Sequence, residues 1–266
     1  MSGAEAKWRR AMKALAIPPE ILEAAPESPY GFPAAIWGRP AEPVDSPSRA
    51  RALEALPEGG SVLDVGAGGG AASLALVPHV AHVTAVDESE ALLEAFAANA
   101  ANAANAGAAG VEHSAIIGRW PDVAPQAPSA DVVVCHHVFY NALDLVAFAG
   151  ALTGHARKRV VAELTATHPL DGFSDLWRHF HGIDRPRGPD ADDAIAVLAE
   201  TGTDVQSERS ERPSIWTDAP RSAVVGFVRR RLCLRPENDP EIDALIGDTP
   251  ERTPRQMVTL YWPGSA

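Results

Sequence analysis

Two stretches of this 266-residue chain concentrate side chains and backbone geometry that could do chemistry. The first is Asp64-Val65-Gly66-Ala67-Gly68-Gly69-Gly70, with Asp87 following 21 residues after Gly66. Glycines at 66, 68 and 70 let the backbone turn tightly and admit a ligand without Cβ clashes. An acid at the distance of Asp87 can accept both hydroxyls of a ribose. The second stretch is His136-His137-Val138-Phe139-Tyr140-Asn141, with Glu163 and His168 further on. Histidine exchanges protons near neutral pH, so His136, His137 and His168 are candidate acid–base groups. His179-x-His181 raises the question of a metal, but no third ligand of suitable spacing accompanies it, and no metal is expected.

These residues need a scaffold, and the hydrophobic pattern supplies one. Ser61–Val65 reads as a buried strand, Ala71–Val77 as a helix and Val83–Val86 as a second strand: a βαβ unit with a nucleotide-binding crevice at the strands' C-terminal ends. Further strands are expected at Val111–Ile117, Asp131–Cys135, Arg159–Leu164, Asp204–Arg212 and Met257–Trp262. Helices are expected at 89–106 (ending on Gly107), Leu143–Thr153, 190–201 and about Ala219–Leu232, with a charged loop through Arg255. Because neighbouring strand residues point oppositely, His136 and His137 are not expected to face the cleft together if the strand persists. Upstream, Gly3–Ala16 reads as an amphipathic helix with Trp8, Met12 and Leu15 near one face. Residues 26–47 hold six prolines and the aromatics Tyr30, Phe32 and Trp37. This stretch is either a structural arm or a lid. Ser46-Pro47 should cap a helix running to about Leu56.

Gly66-Ala67-Gly68-Gly69-Gly70-Ala71 fits the dinucleotide-binding pattern of dehydrogenases, but Asp64, two residues before the first glycine, does not. Asp64 to Gly70 with Asp87 instead resembles the class I S-adenosylmethionine-dependent methyltransferases, over about residues 46–262. The resemblance implies an α/β, Rossmann-like fold: a seven-stranded, mostly parallel sheet with an antiparallel last strand, helices on both faces and an N-terminal helical, proline-rich cap. It implies a cap or lid arm at 1–45 and a methyltransferase domain at 46–266, with lid insertions near 170–189 and 213–255. S-adenosyl-L-methionine would be held by Asp64, Gly66, Gly68, Gly70, Asp87, Arg119, Trp120 and His136. Arg119 stands where the family commonly carries an acid for the adenine amine; Trp120 could stack on adenine or plug the core. Tyr30, Trp37, Tyr140, Asn141, Trp177 and His181 would line the substrate pocket, with His136, His137 or His168 as a base where one is needed.

The net charge of −12 argues against a nucleic-acid groove and an anionic membrane surface. Two distant cysteines, Cys135 and Cys233, suggest a reducing compartment, and with no signal-peptide pattern the cytoplasm is expected. The resulting expectation is methyl transfer to a small molecule, O-methylation of a carboxylic (including fatty) acid or a hydroxyl. An NAD(P)-dependent oxidoreductase, a non-catalytic cofactor-binding protein and an N- or protein methyltransferase are the alternatives. The arm or the 213–255 segment could also form a homodimer interface.

Overall fold

A computed structural model describes residues 3–39, 45–105, 111–217, 219–248 and 253–266. Helices α1 (Gly3–Ala14), α2 (Pro19–Ala24), α3 (Ala34–Trp37) and α4 (Pro47–Ala55) precede strands β1 (Gly60–Val65) and β2 (Val80–Asp87). Then come α5 (Glu90–Asn105), β3 (Glu112–Ile117), β4 (Ala130–His136), α6 (Leu145–His155) and β5 (Ala156–Thr165). The chain continues through α7 (Ser174–His181), α8 (Ala191–Glu200), β6 (Gln206–Arg212), α9 (Arg221–Arg231), α10 (Asp239–Ile246) and β7 (Arg255–Pro263). As expected, α4 is capped by Ser46, whose side chain accepts from the Arg49 N–H, with Pro47 in the first turn. The expected end of α5 on Gly107 lies outside the described residues.

Among the described residues the strands form one sheet in the order β3-β2-β1-β4-β5-β7-β6. All neighbours are parallel except β7, which runs antiparallel to both β5 and β6. This is the Rossmann-like architecture expected from the sequence. Alternate residues of each strand feed two cores. Leu63, Val65, Val133, Cys135, Ala162 and Leu164 meet α1, α6 and α8 on one face. Val62, Val132, Val134 and Val161 meet α4 and α5 on the other. Asp64, His136 and Glu163 continue this second set at the strands' C-terminal ends, so three polar residues share the face covered by α4.

The expected helix at Ala71–Val77 is reduced to a single 3-10 turn, Leu74–Leu76. Val77 is extended (ψ 138) because it precedes Pro78, which disfavours helical backbone in the residue before it. Too few residues remain after the glycines for a longer helix. Conversely, α10 occupies what reads as charged loop. Its buried Ile242 and Ile246, one turn apart, pack with Trp177, Val224, Val228 and Leu232 in a separate small core. Ile17, Ile21 and Ala25 of the N-terminal segment pack against that same core. Helix α1 instead docks on the main domain, with Trp8 fully buried and its indole N–H donating to the Ala142 carbonyl at 2.8 Å.

Candidate active site

The glycine loop links the end of β1 to the 3-10 turn. Gly66, Gly68 and Gly70 all have left-handed φ (74°, 52° and 86°), a region costly for other residues. A Cβ on Gly66 would also lie 2.2 Å from Val138 Cγ2, so the loop and the segment after β4 are in direct contact. Asp87 Oδ2 accepts from the Gly68 N–H and Oδ1 from the Ser89 N–H, both at 2.9 Å. Asp64 is buried; Oδ2 accepts from the Ser73 hydroxyl at 2.6 Å, while Oδ1 has no partner. Burial pushes the Asp64 carboxyl up to about 7, against the stabilising bonds from Ser73.

The N-terminal segment lies on this loop. The Gly69 N–H donates to the Trp37 carbonyl at 2.8 Å, and Asn99 Nδ2 donates to both Gly38 O (3.0 Å) and Gly69 O (2.8 Å). Trp37 is half-buried and belongs to an aromatic group with Phe32, Trp216 and Phe227, at centroid separations of 5.0–5.7 Å. The Arg231 guanidinium lies 4.8 Å from the ring centroids of both Phe32 and Phe227 and donates to Pro29 O at 2.6 Å. No carboxylate among the described residues pairs with it. Tyr30, on the same segment, is exposed.

At the ends of β4 and β5 the structure corrects the sequence reading. His136 and His137 both face one carboxylate, Glu163. The strand ends at His136, and His137 takes a left-handed φ of 64° with its N–H donating to the Glu163 carbonyl. That turn cancels the strand alternation that would have aimed the two rings apart. His136 Nδ1 lies 4.0 Å and His137 Nε2 3.8 Å from Glu163 Oε1. Glu163 is itself buried, and its Oε2 accepts from Ser48 Oγ (2.7 Å) and Arg212 Nη2 (2.8 Å). Burial opposes its ionisation, but the two histidines, Arg212 and Ser48 outweigh that and hold its pKa below the usual glutamate value. Burial lowers His136, and it lowers His137 to about 3 with Arg255 adding to the effect and Glu163 opposing it. Both rings are therefore neutral at neutral pH, beside an ionised glutamate.

Several expected contacts lie elsewhere. Trp120 is buried in the main core, with its indole N–H on Phe148 O at 3.3 Å and its ring edge-on to His155. Of the two roles open to it from the sequence, this burial is that of a core plug. Tyr140 is also buried, stacked on Trp8 and donating to Thr165 O at 2.6 Å. Burial raises its hydroxyl pKa far above the usual tyrosine value, so it acts as a tether between segments. Trp177 fills the small core, and the His181 imidazole is tied to Leu232 O at 2.7 Å. Both hold α7 to α9 and its C-terminal end. His168 is buried; its Nδ1 accepts from the Leu170 N–H, its Nε2 has no partner, and burial lowers it to about 4. Arg119 and Asn141 are exposed and joined: Arg119 lies 3.8 Å from Glu88 and donates to Asn141 O at 3.4 Å. Among the described residues no group of three or more His, Cys, Asp or Glu could hold a metal ion, and no helix is long and apolar enough to cross a membrane.

Residues 62–163, from β1 to Glu163 itself, match the family model of a methyltransferase domain. That stretch is a methyltransferase domain, and the sheet order and acid–glycine–acid loop around it are those of the class I, S-adenosylmethionine-dependent fold. Its cofactor is S-adenosyl-L-methionine, and the residues present fit that group. Three left-handed glycines turn the loop tightly at the end of β1, and the unpartnered Asp64 Oδ1 is buried beside it. The fold is shared with YjhP from E. coli, at TM-score 0.53 and 15% identity, covering 88% of this chain and 100% of that one. It is likewise shared with magnesium protoporphyrin IX methyltransferase from Synechocystis PCC 6803 with bound S-adenosylhomocysteine (TM-score 0.51, 17% identity, 82% and 80% covered). YcgJ from Bacillus subtilis is a third (TM-score 0.50, 13% identity, 82% and 98% covered). No curated protein matches the chain significantly.

Proposed function

We propose that this enzyme methylates an oxygen of a small molecule, a carboxylic acid (fatty acids included) or a hydroxyl compound. The observation that carries this reading is the convergence of His136 and His137 on buried Glu163 directly beside the glycine loop. When bound, S-adenosylmethionine supplies an electrophilic sulfonium methyl. The chain's own task is then to hold an acceptor oxygen in line and exclude water, which can account for much of such a barrier. Asp87 and the loop position the adenosine end, with Asp64 and the His136 side of the cleft behind the reacting end. The aromatic group around Trp37 gives an apolar acceptor a surface. Arg231, which lacks an acidic partner among the described residues, suits an anionic end. The N-terminal segment, 170–189 and 213–255 would then act as a cover, consistent with their shared small core. The bound acceptor is small, and the acidic net charge of the chain disfavours nucleic acid.

The test is transfer of a labelled methyl from S-adenosylmethionine into a fractionated small-metabolite extract, with mild alkali applied to the product. Label released as methanol identifies a carboxyl ester. Alkali-stable label that behaves as an ether identifies a hydroxyl acceptor. Label found only on nitrogen or carbon would sink the oxygen assignment.

A further inference from the structure

Two buried N–H groups from different segments lack an acceptor, and they lie close enough to influence each other. One belongs to His168, which follows β5 and is only 5% exposed. Its Nδ1 accepts from the Leu170 N–H, so the ring, kept neutral by burial, carries its proton on Nε2. No hydrogen bond reaches that Nε2–H; the Tyr140 backbone carbonyl is near the ring but does not meet Nε2 in bonding geometry. The other is Nε of Arg231, at the end of α9. Nη1 of that guanidinium donates to Pro29 O, and the Phe32 and Phe227 rings flank it, so its Nε–Nη2 edge has no partner among the described residues. Arg231 is also the one charged group among them whose field bears on His168. A second guanidinium adjoins. Arg185 lies 4.8 Å over the Trp177 ring and donates to the Leu15 and Ala16 carbonyls, again without a carboxylate. The Tyr30 phenol is close to both arginines, and burial lowers both, Arg231 to about 10. A chain of net charge −12 thus leaves two half-buried guanidiniums and a buried imidazole N–H without an acid. The place borders the cleft: Phe227 is 5.0 Å from Trp37, whose carbonyl holds Gly69, and the His168 ring is 4.8 Å from Tyr140, just past β4.

We propose that the Arg231 guanidinium and the His168 Nε2–H together bind a carboxylate of the methyl acceptor, with Arg185 and Tyr30 at the rim. Two donors set side by side call for one acceptor, and a carboxylate offers two oxygens, one for the guanidinium edge and one for the imidazole. The Phe32, Trp37 and Phe227 rings then take the apolar body of the same molecule. The acceptor class is an aromatic or otherwise apolar carboxylic acid. It is recognised as an anion whether the methyl goes to that carboxylate or to a second oxygen. The inference rests on the small-molecule oxygen-methylation reading and narrows it: a neutral hydroxyl compound leaves both donors unmet.

The test is binding of 3-phenylpropanoate against its uncharged amide, 3-phenylpropanamide, to the protein saturated with S-adenosylhomocysteine, read by calorimetry. The acid should bind about tenfold or more tightly than the amide. In the wild-type protein, ¹⁵N shifts should place the His168 proton on Nε2, and that resonance should move when the acid is added and stay when the amide is. Equal affinity for acid and amide, or a His168 proton on Nδ1, overturns the site and requires no variant. Arg231→Gln should remove the preference for the acid and leave the amide's affinity unchanged, Arg231→Lys should be intermediate, and the exposed Arg235→Gln should match wild type. An acid preference that survives in Arg231→Gln overturns the role of Arg231. Inorganic phosphate binding as tightly as the phenyl acid marks a site for free anions and overturns the acceptor class. Methyl transfer confined to uncharged compounds overturns it too. Transfer to a nitrogen or carbon of an acid, with the acid preference intact, removes the oxygen reading and supports the site.

Discussion

The backbone carbonyl of Trp37 accepts a hydrogen bond from the N–H of Gly69 at 2.8 Å, tying the N-terminal segment to the second half of the cofactor loop. The fit allows no side chain: a Cβ on Gly69 would lie 2.7 Å from the Gly38 carbonyl carbon and oxygen. Gly69→Ala should therefore lift the segment from the loop. Binding of S-adenosylhomocysteine should weaken about tenfold or more by calorimetry, and residues near 38 should become sensitive to protease. Unaltered affinity and digestion would mean the loop tolerates the displacement.

Asp87 offers a direct check on the cofactor's ribose. Charge-assisted hydrogen bonds contribute about 1.5–3 kcal/mol each, so Asp87→Ala should weaken S-adenosylhomocysteine binding by roughly 30-fold or more. Asp87→Asn keeps an acceptor for only one of the Gly68 and Ser89 amides and turns an NH2 on the other, so its affinity should fall between those of wild type and Asp87→Ala. Equal affinity in wild type and Asp87→Ala would sink the ribose assignment.

Asp64 carries a pH dependence of defined sign. Its carboxyl is raised from 3.8 to about 7 by burial, so the folded state holds a proton that the unfolded state releases between those values. Asp64 thus favours folding below its unfolded pKa, and that contribution is lost as pH rises through about 7. Asp64→Asn, which cannot ionise, should raise thermal stability at pH 8, by on the order of 2–4 kcal/mol, and change it little near pH 4. A variant destabilised equally at both pH values would show that Asp64 is not protonated in the free protein.

The docking of α1 can be tested on Trp8. Truncation of a fully buried tryptophan costs about 3–5 kcal/mol, and here the Ala142 carbonyl also loses its donor. Trp8→Ala should lower the unfolding free energy by that order in a urea titration. A loss below about 1 kcal/mol would mean that α1 is not integral to the main core.

Much of the scaffold is legible in the chain because its signals are local. The β1 and β4 runs, the Ser46-Pro47 cap and the acid–glycine loop each declare themselves within about ten residues. The glutamate that organises the site does not: Ser48, His136, Glu163 and Arg212 come from α4, β4, β5 and β6, and only the sheet order unites them. The left-handed turn at His137 is equally hidden, since nothing in a histidine announces φ of 64°. Trp120, Tyr140 and Trp177 show a different limit. A large aromatic side chain with one polar atom serves a core or a pocket equally well, and here tertiary packing took all three inward. Helix α10 was obscured by its acidic residues, although Ile242 and Ile246 mark its buried stripe.

The position of α1 also bears on how the chain folds. The Trp8 indole reaches Ala142 across 134 positions, and the Ala4 amide reaches Glu200 across 196. Contacts of such span close very large loops, and their entropy must be met before they return any stability. The α1 seat is complete only once α6 and α8 have been laid against the sheet. Docking of that helix is therefore a late event, and Trp8 fluorescence should report the final stage of folding, after the strands have paired.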